Sequence, residues 1–362
     1  MTFPPFGGLT IQPSAGRVGV CMVRSKLSMV VSLLSLLVAV GSVMTLFSVR
    51  KAASTGSSSL FATSDMDGDS TASQTPLPIN PARVDYRQTA QIAVDFKKVS
   101  ALAVDADDRI YVAGDRSLCR FSPRGELEMR IALSYEPTCL TVANRHHLEP
   151  GRIYVGFVDH LEVYEAGGAK VAIWQGLGEK AQFTSISTSD YYIFIADAGQ
   201  SVIQRFDSTG KLLESFGESS PGHFTSTVNG TNAPFGLAVG LDDLVYVVNR
   251  RDHRVEGYSF QGKMERHWGR GTPAVEDFAG SSNPARLAIA ADGRFVTAEE
   301  YPLRVKVYAR SGEFDGVVCG PEGTSSVVDL VADHHKRILV LDGQARCVRV
   351  FEVKKPAVPS KN

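Results

Sequence analysis

Four oxygen-bearing side chains each follow a short apolar run: Asp197 after Ile193–Ala196, Asn249 after Val245–Val248, Glu299 after Phe295–Ala298 and Asp342 after Ile338–Leu341. Oxygen donors of this kind suit a hard cation such as calcium, which takes several at once. They equally suit strand ends, where a short acidic or amide side chain accepts backbone N–H groups of the next turn and pairs with an arginine such as Arg254, Arg304 or Arg346 of a neighbouring unit. Asp115 and Arg254 complete the candidate ligand-binding set. Arg250–Arg254 (RRDHR) is the densest charge cluster. It could receive a phosphate or carboxylate, or stabilise its own loop. His146–His147 and His334–His335 raise the question of a metal, but adjacent side chains on a turn are expected to diverge, which favours plain surface turns. No G-x-S-x-G, H-E-x-x-H or P-loop pattern occurs, and no two cysteines are close enough for a C-x-x-C metal or redox motif.

The elements that must hold these residues form a repeat. Apolar first strands contain Ala101–Val104, Leu140–Val142, Ile186–Ser187, Leu237–Val239, Leu287–Ile289 and Leu330–Val331. Second strands contain Ile110–Val112, Ile153–Val155, Ile193–Ile195, Val245–Val247, Phe295–Thr297 and Ile338–Val340. Third strands close on Phe121, Tyr164, Phe206, Tyr258, Tyr308 and Phe351, and glycine turns lead to a fourth strand. Short β-branched and aromatic runs punctuated by glycine are strands, and four strands per ~45 residues mark a β-propeller. The pattern predicts six blades over 86–354. The last unit has three strands, and a spare strand at Gln88–Asp95 is expected to complete it and close the ring. In that topology the loops between second and third strands ring the channel mouth, together with the long connections 217–233 and 269–283.

Gly217–Phe224, Asn232–Val239 and Tyr246–Asn249 through Arg254–Tyr258 resemble an NHL repeat, as does Ile195–Asp197 through Ile203–Phe206. The resemblance is best in blades 3 and 4, partial in blade 5 and one of pattern only in blades 1, 2 and 6. It implies a six-bladed propeller, a fold that serves binding, scaffolding and several chemistries. Gluconolactonase-like relatives hold calcium near the mouth, which is the sense in which Asp197, Asn249, Glu299 and Asp342 are metal candidates. Amidating-lyase relatives use zinc held by channel histidines, and three such histidines cannot be mapped onto this sequence.

Ahead of the repeat, Leu27–Val49 carries no charge. At helical rise it would span about 34 Å, enough for a bilayer core. Arg17, Arg24 and Lys26 before it, against Arg50 and Lys51 after it, place its N-terminal side in the cytoplasm. The expected organisation is a cytoplasmic segment 1–26, a signal-anchor helix 27–49, a Ser/Thr/Pro-rich linker 50–85, the propeller 86–354 and a tail 355–362. A cleaved signal peptide and a start at Met22 remain alternative readings of this segment. The propeller would then lie in the periplasm or extracellular space. Thirty-eight basic against 39 acidic residues give a net charge of −1, which excludes a nucleic-acid binder relying on bulk basicity. Cys119, Cys139, Cys319 and Cys347 fall in or near different strands and are expected to be buried thiols, with a disulfide an open alternative outside the cytoplasm. The expected function is a membrane-tethered module that binds a protein or small ligand at the mouth. The alternative is an extracytoplasmic calcium- or zinc-dependent lactonase or lyase.

Overall fold

The computed structural model describes residues 77–80, 83–175, 178–217, 223–224, 227–228, 231–280 and 283–354. The expected membrane helix Leu27–Val49 and the tail 355–362 lie outside them. Among the described residues no helix is long and apolar enough to cross a membrane.

Six antiparallel four-stranded sheets follow one another as blades. Blades 1 to 5 run in chain order, starting at Val99–Val104, Cys139–Val142, Phe183–Thr188, Leu237–Val239 and Arg286–Ile289. Blade 6 is composite. Its Asp329–Ala332, Ile338–Asp342 and Cys347–Val353 are joined by Tyr86–Ala93, which pairs from Tyr86↔Val353 to Ala93↔Cys347. The closing strand begins two residues earlier than the alternation suggested, and a bulge between Gln88 and Ala90 resets the register. Pairing the earliest strand with the latest gives blade 6 its fourth strand and closes the ring.

Position within the blade explains each strand's composition. Second strands are flanked by partners on both sides and covered on both faces, so every residue of Ile110–Gly114 and Ile153–Gly156 is buried. Continuous apolar runs fit that setting. Fourth strands are outermost, and Leu127–Ala132 alternates between exposed and half-buried. On the first strands one register position carries Leu102, Leu140, Ile186, Leu237, Leu287 and Leu330, all buried. The aromatic ending a fourth strand packs on the aromatic ending the next blade's third strand: Trp174 on Phe206 at 5.8 Å, Phe216 on Tyr258 at 5.8 Å, Trp268 on Tyr308 at 4.5 Å.

The glycine turns take part in the same contact. Gly312 has φ 92°, and a Cβ there would lie 2.6 Å from the Trp268 ring. Gly210 repeats this against Trp174. Gly312→Ala therefore adds left-handed strain to a ring clash. The expected cost is about 2–3 kcal/mol, seen as a melting temperature lower by about 5–10 °C in a thermal scan.

The end of the segment expected to be a linker is fixed to blade 5. Leu77 N–H donates to Pro273 O at 3.1 Å, Asp85 N–H to Val317 O at 3.0 Å, and Val84 bridges Val317 in parallel. The four propeller cysteines are free and buried. Burial raises all four thiols, Cys139 and Cys319 to about 12, which leaves them protonated and unreactive at neutral pH.

Candidate binding site at the channel mouth

Asp197, Asn249, Glu299 and Asp342 end the second strands of blades 3, 4, 5 and 6, where the sequence placed them, and all four are fully buried. Each bonds a polar side chain seven positions on, in the third strand of its own blade. Gln204 Nε2 donates to Asp197 Oδ2 at 3.1 Å, and Asn249 Nδ2 to Glu256 Oε1 at 3.0 Å. Lys306 Nζ donates to Glu299 Oε1 at 2.6 Å, and Arg349 Nε to Asp342 Oδ2 at 2.9 Å. In Asp197, Asn249 and Asp342 the Oδ1 oxygen caps backbone, whereas Glu299 Oε2 accepts no hydrogen bond among the described residues. Asp197 Oδ1 takes the N–H groups of Gln182 and Gln200, and Asp342 Oδ1 those of Gln344 and Ala345. Burial pushes the Asp342 carboxyl up, but the N–H groups of Ala345 and Ser325 and the Arg349 guanidinium outweigh it and hold it at about 2.

Asp115, in blade 1, accepts from the backbone of Lys97 and Lys98. Arg254 binds Glu256 and Asp252 at 2.6 and 3.2 Å. The six candidates are thus spread over five blades. Only Asn249 and Arg254 share a network, through the buried Glu256, which also meets Tyr258 OH at 2.6 Å and His223 Nε2 at 3.2 Å. Two expectations change. The arginines at these strand ends pair within blades rather than between them, and Asp342 is met by Arg349, not Arg346. None of the six candidates lines the channel. The polar residue two before the third-strand aromatic in blades 3 to 6 was missed. Its signal was available in Gln204, Glu256, Lys306 and Arg349, polar positions inside otherwise apolar strands.

The channel itself is walled by the six first strands and encloses about 190 Å³. Below its mouth the wall is Leu, Ile, Val and Ala with occasional Thr and Ser. At the mouth end stand Ser100, Thr138, Thr184, Ser185, Arg286 and Asp329. Arg286 and Asp329 occupy equivalent positions at the starts of neighbouring first strands, pairing with Ala298 and Leu341. They are the only charged residues among those lining the channel. The sequence reading named neither. The signal was a charged residue opening an apolar first strand where blade 4 has Gly236.

Arg286 Nε donates to Val328 O at 2.7 Å and Nη1 to Ala285 O at 3.3 Å, while Nη2 makes no hydrogen bond among the described residues. Asp329 accepts the N–H of Leu102 through Oδ2 and of Leu330 through Oδ1, both at 2.9 Å. Both side chains are half-buried and keep some surface open to the channel. Burial raises the Asp329 carboxyl to about 6, against the attraction of Arg286 and the two N–H groups. Burial likewise lowers Arg286. The wider cluster includes Arg250, which is buried and donates to Pro234 O at 3.0 Å and to Glu300 Oε2 at 2.9 Å. Chemically, the mouth offers one guanidinium edge with a donor to spare, hydroxyl neighbours, and a carboxyl poised to gain a proton near pH 6.

No family model matches the sequence, and no curated protein matches it. Solved structures match the fold. Streptogramin B lyase superposes with a TM-score of 0.52 at 10% identity, covering 76% of this chain and 100% of that one. Virginiamycin B lyase from Staphylococcus aureus gives 0.54 at 10% identity, with 74% and 100% coverage. A protein of unknown function from Bacteroides thetaiotaomicron gives 0.52 at 15% identity, with 75% and 72% coverage. At such identity the likeness establishes architecture alone. The protein is a closed six-bladed β-propeller, similar in fold to virginiamycin B lyase.

Proposed function

We propose that the chain is a membrane-tethered, NHL-like propeller that works outside the cytoplasm as a binding module, and that its channel mouth receives a small anionic ligand. The observation that supports this reading is Arg286, a channel guanidinium whose Nη2 makes no hydrogen bond among the described residues, set beside hydroxyl side chains. A cavity of about 190 Å³ suits a carboxylate-sized group and falls below the few hundred Å³ usual for drug-sized ligands. The lyase alternative has fold similarity in its favour. Against it, its four proposed ligands sit in four separate blades, each in hydrogen bonds of its own blade.

Methanesulfonate is a suitable probe because it stays anionic across the range tested. In titration calorimetry, Arg286→Met is expected to abolish binding. Affinity depends on pH through Asp329, whose carboxyl is raised to about 6. Below that pH it takes up a proton, a negative charge beside Arg286 disappears, and the anion binds about tenfold more tightly at pH 5 than at pH 7.5. Asp329→Asn should remove the pH dependence. Binding that survives Arg286→Met, or that weakens on acidification, would refute the reading. Protease shaving of intact cells tests the tether, with the propeller expected to be accessible from outside.

A further inference from the structure

We propose that Asp108, Asp333 and His335 form a site for a divalent transition ion of the zinc class, on the propeller face opposite the channel mouth. The sequence pattern favoured unconnected surface turns with diverging histidines. The histidine turns are where it placed them, between the first and second strands of blades 2 and 6, but His334 and His335 converge on one residue of the blade 1 turn. Asp108 of blade 1 reaches across to blade 6, where Oδ1 accepts the His334 N–H at 2.9 Å and faces His334 Nδ1 at 3.0 Å. Its Oδ2 is hydrogen-bonded to His335 Nδ1. Asp333 lies beside them, held by Arg337 N–H at 2.8 Å and Arg337 Nε at 2.5 Å. Ligating atoms of Asp108, Asp333 and His335 all lie within 4.8 Å of one another.

The donor set decides the ion. Two carboxylates, one of them shared with the Arg337 guanidinium, attract a dication, and an imidazole nitrogen favours zinc over calcium or magnesium, which prefer all-oxygen cages. Both carboxylates are buried and preoriented, while the His335 side chain is 75% exposed and offers a way in. Three protein ligands leave a fourth position for water. His334 acts as a positioning residue by fixing the other Asp108 oxygen. The ligands are 227 positions apart along the chain, so a bound ion would tie blade 1 to blade 6 next to the ring junction. The other pair differs. His147 is buried and accepts the Glu149 N–H at 3.0 Å, and His146 is exposed with no carboxylate partner among the described residues.

The test uses the full-length chain, solubilised in mild detergent and stripped with chelator. Zinc is expected to bind at one equivalent and, at about a hundredfold excess over Kd, to raise the melting temperature by about 5 °C. Cobalt should give the visible absorption of a four-coordinate site. His335→Ala changes an exposed side chain and should cost at least tenfold in affinity and remove the cobalt bands. Asp108→Asn should do the same, and His146→Ala should change neither. No stoichiometric uptake by the wild type, or equal uptake in the His335→Ala and His146→Ala variants, would overturn the proposal.

Discussion

Deleting Tyr86–Ala93 from the full chain is expected to abolish cooperative folding of the propeller. That strand supplies the outer edge of blade 6, pairing along Cys347–Val353 and burying Tyr86 and Ile92. Burial of two such side chains is worth about 1.5–3 kcal/mol each, and the ladder hydrogen bonds add to it. Ile92 also contacts the blade 1 turn, since a Cβ on Gly125 would meet it at 2.8 Å. Against a typical net stability of about 5–15 kcal/mol, the combined loss consumes most of the margin. It also exposes the edge of Cys347–Val353, a template for aggregation. Calorimetry should show no sharp transition, and a synthetic peptide of residues 77–93 should restore one by strand addition. A deleted chain that melts within a few degrees of the wild type would mean the ring does not depend on this closure.

Glu299→Ala should be the most damaging single substitution of a strand-end residue. Glu299 and Lys306 are both fully buried, with their charges 2.6 Å apart. Lys306 Nζ also donates to Asp277 O at 2.6 Å and Val275 O at 3.2 Å, so its three donors are used and the long connection between blades 4 and 5 is fastened to blade 5. Burial lowers the lysine and raises the glutamate, each partly offset by the other. Removing the carboxylate strands an ammonium in apolar surroundings beside Phe278 and Tyr308, at a cost of about 3–5 kcal/mol. Adding Lys306→Met to Glu299→Ala should recover much of that loss, because no unpaired charge remains. Denaturant unfolding of the two singles and the double measures the coupling. A double variant as unstable as the sum of the singles would show that the pair acts independently.

The architecture was legible in the sequence because blade position dictates composition. Ile153–Tyr154–Val155 is apolar throughout because it is covered on both faces, and Phe206 and Tyr308 recur because each packs on the preceding blade's last aromatic. The spare strand at the beginning matched the missing strand at the end, so closure was legible in the sequence alone. The site was harder to read. Asp197 or Glu299 after an apolar run looks the same whether the side chain faces a ligand or folds back onto its own blade, and only the partner seven positions on decides between them. Arg286 and Asp329 were overlooked because each is one charged residue at the edge of a short strand, made distinctive only when six first strands converge on one axis. His334 and His335 do lie on an exposed turn, as read, but their convergence was not legible for a related reason: it depends on Asp108 of a neighbouring blade, more than two hundred residues away in the chain.

The claim that the channel mouth is an anion site is tested most directly by anomalous diffraction from propeller crystals soaked in bromide. An anomalous peak in contact with the Arg286 guanidinium, absent from Arg286→Met crystals, is the predicted result. Bromide confined to the outer surface, with only water in the channel, would contradict it.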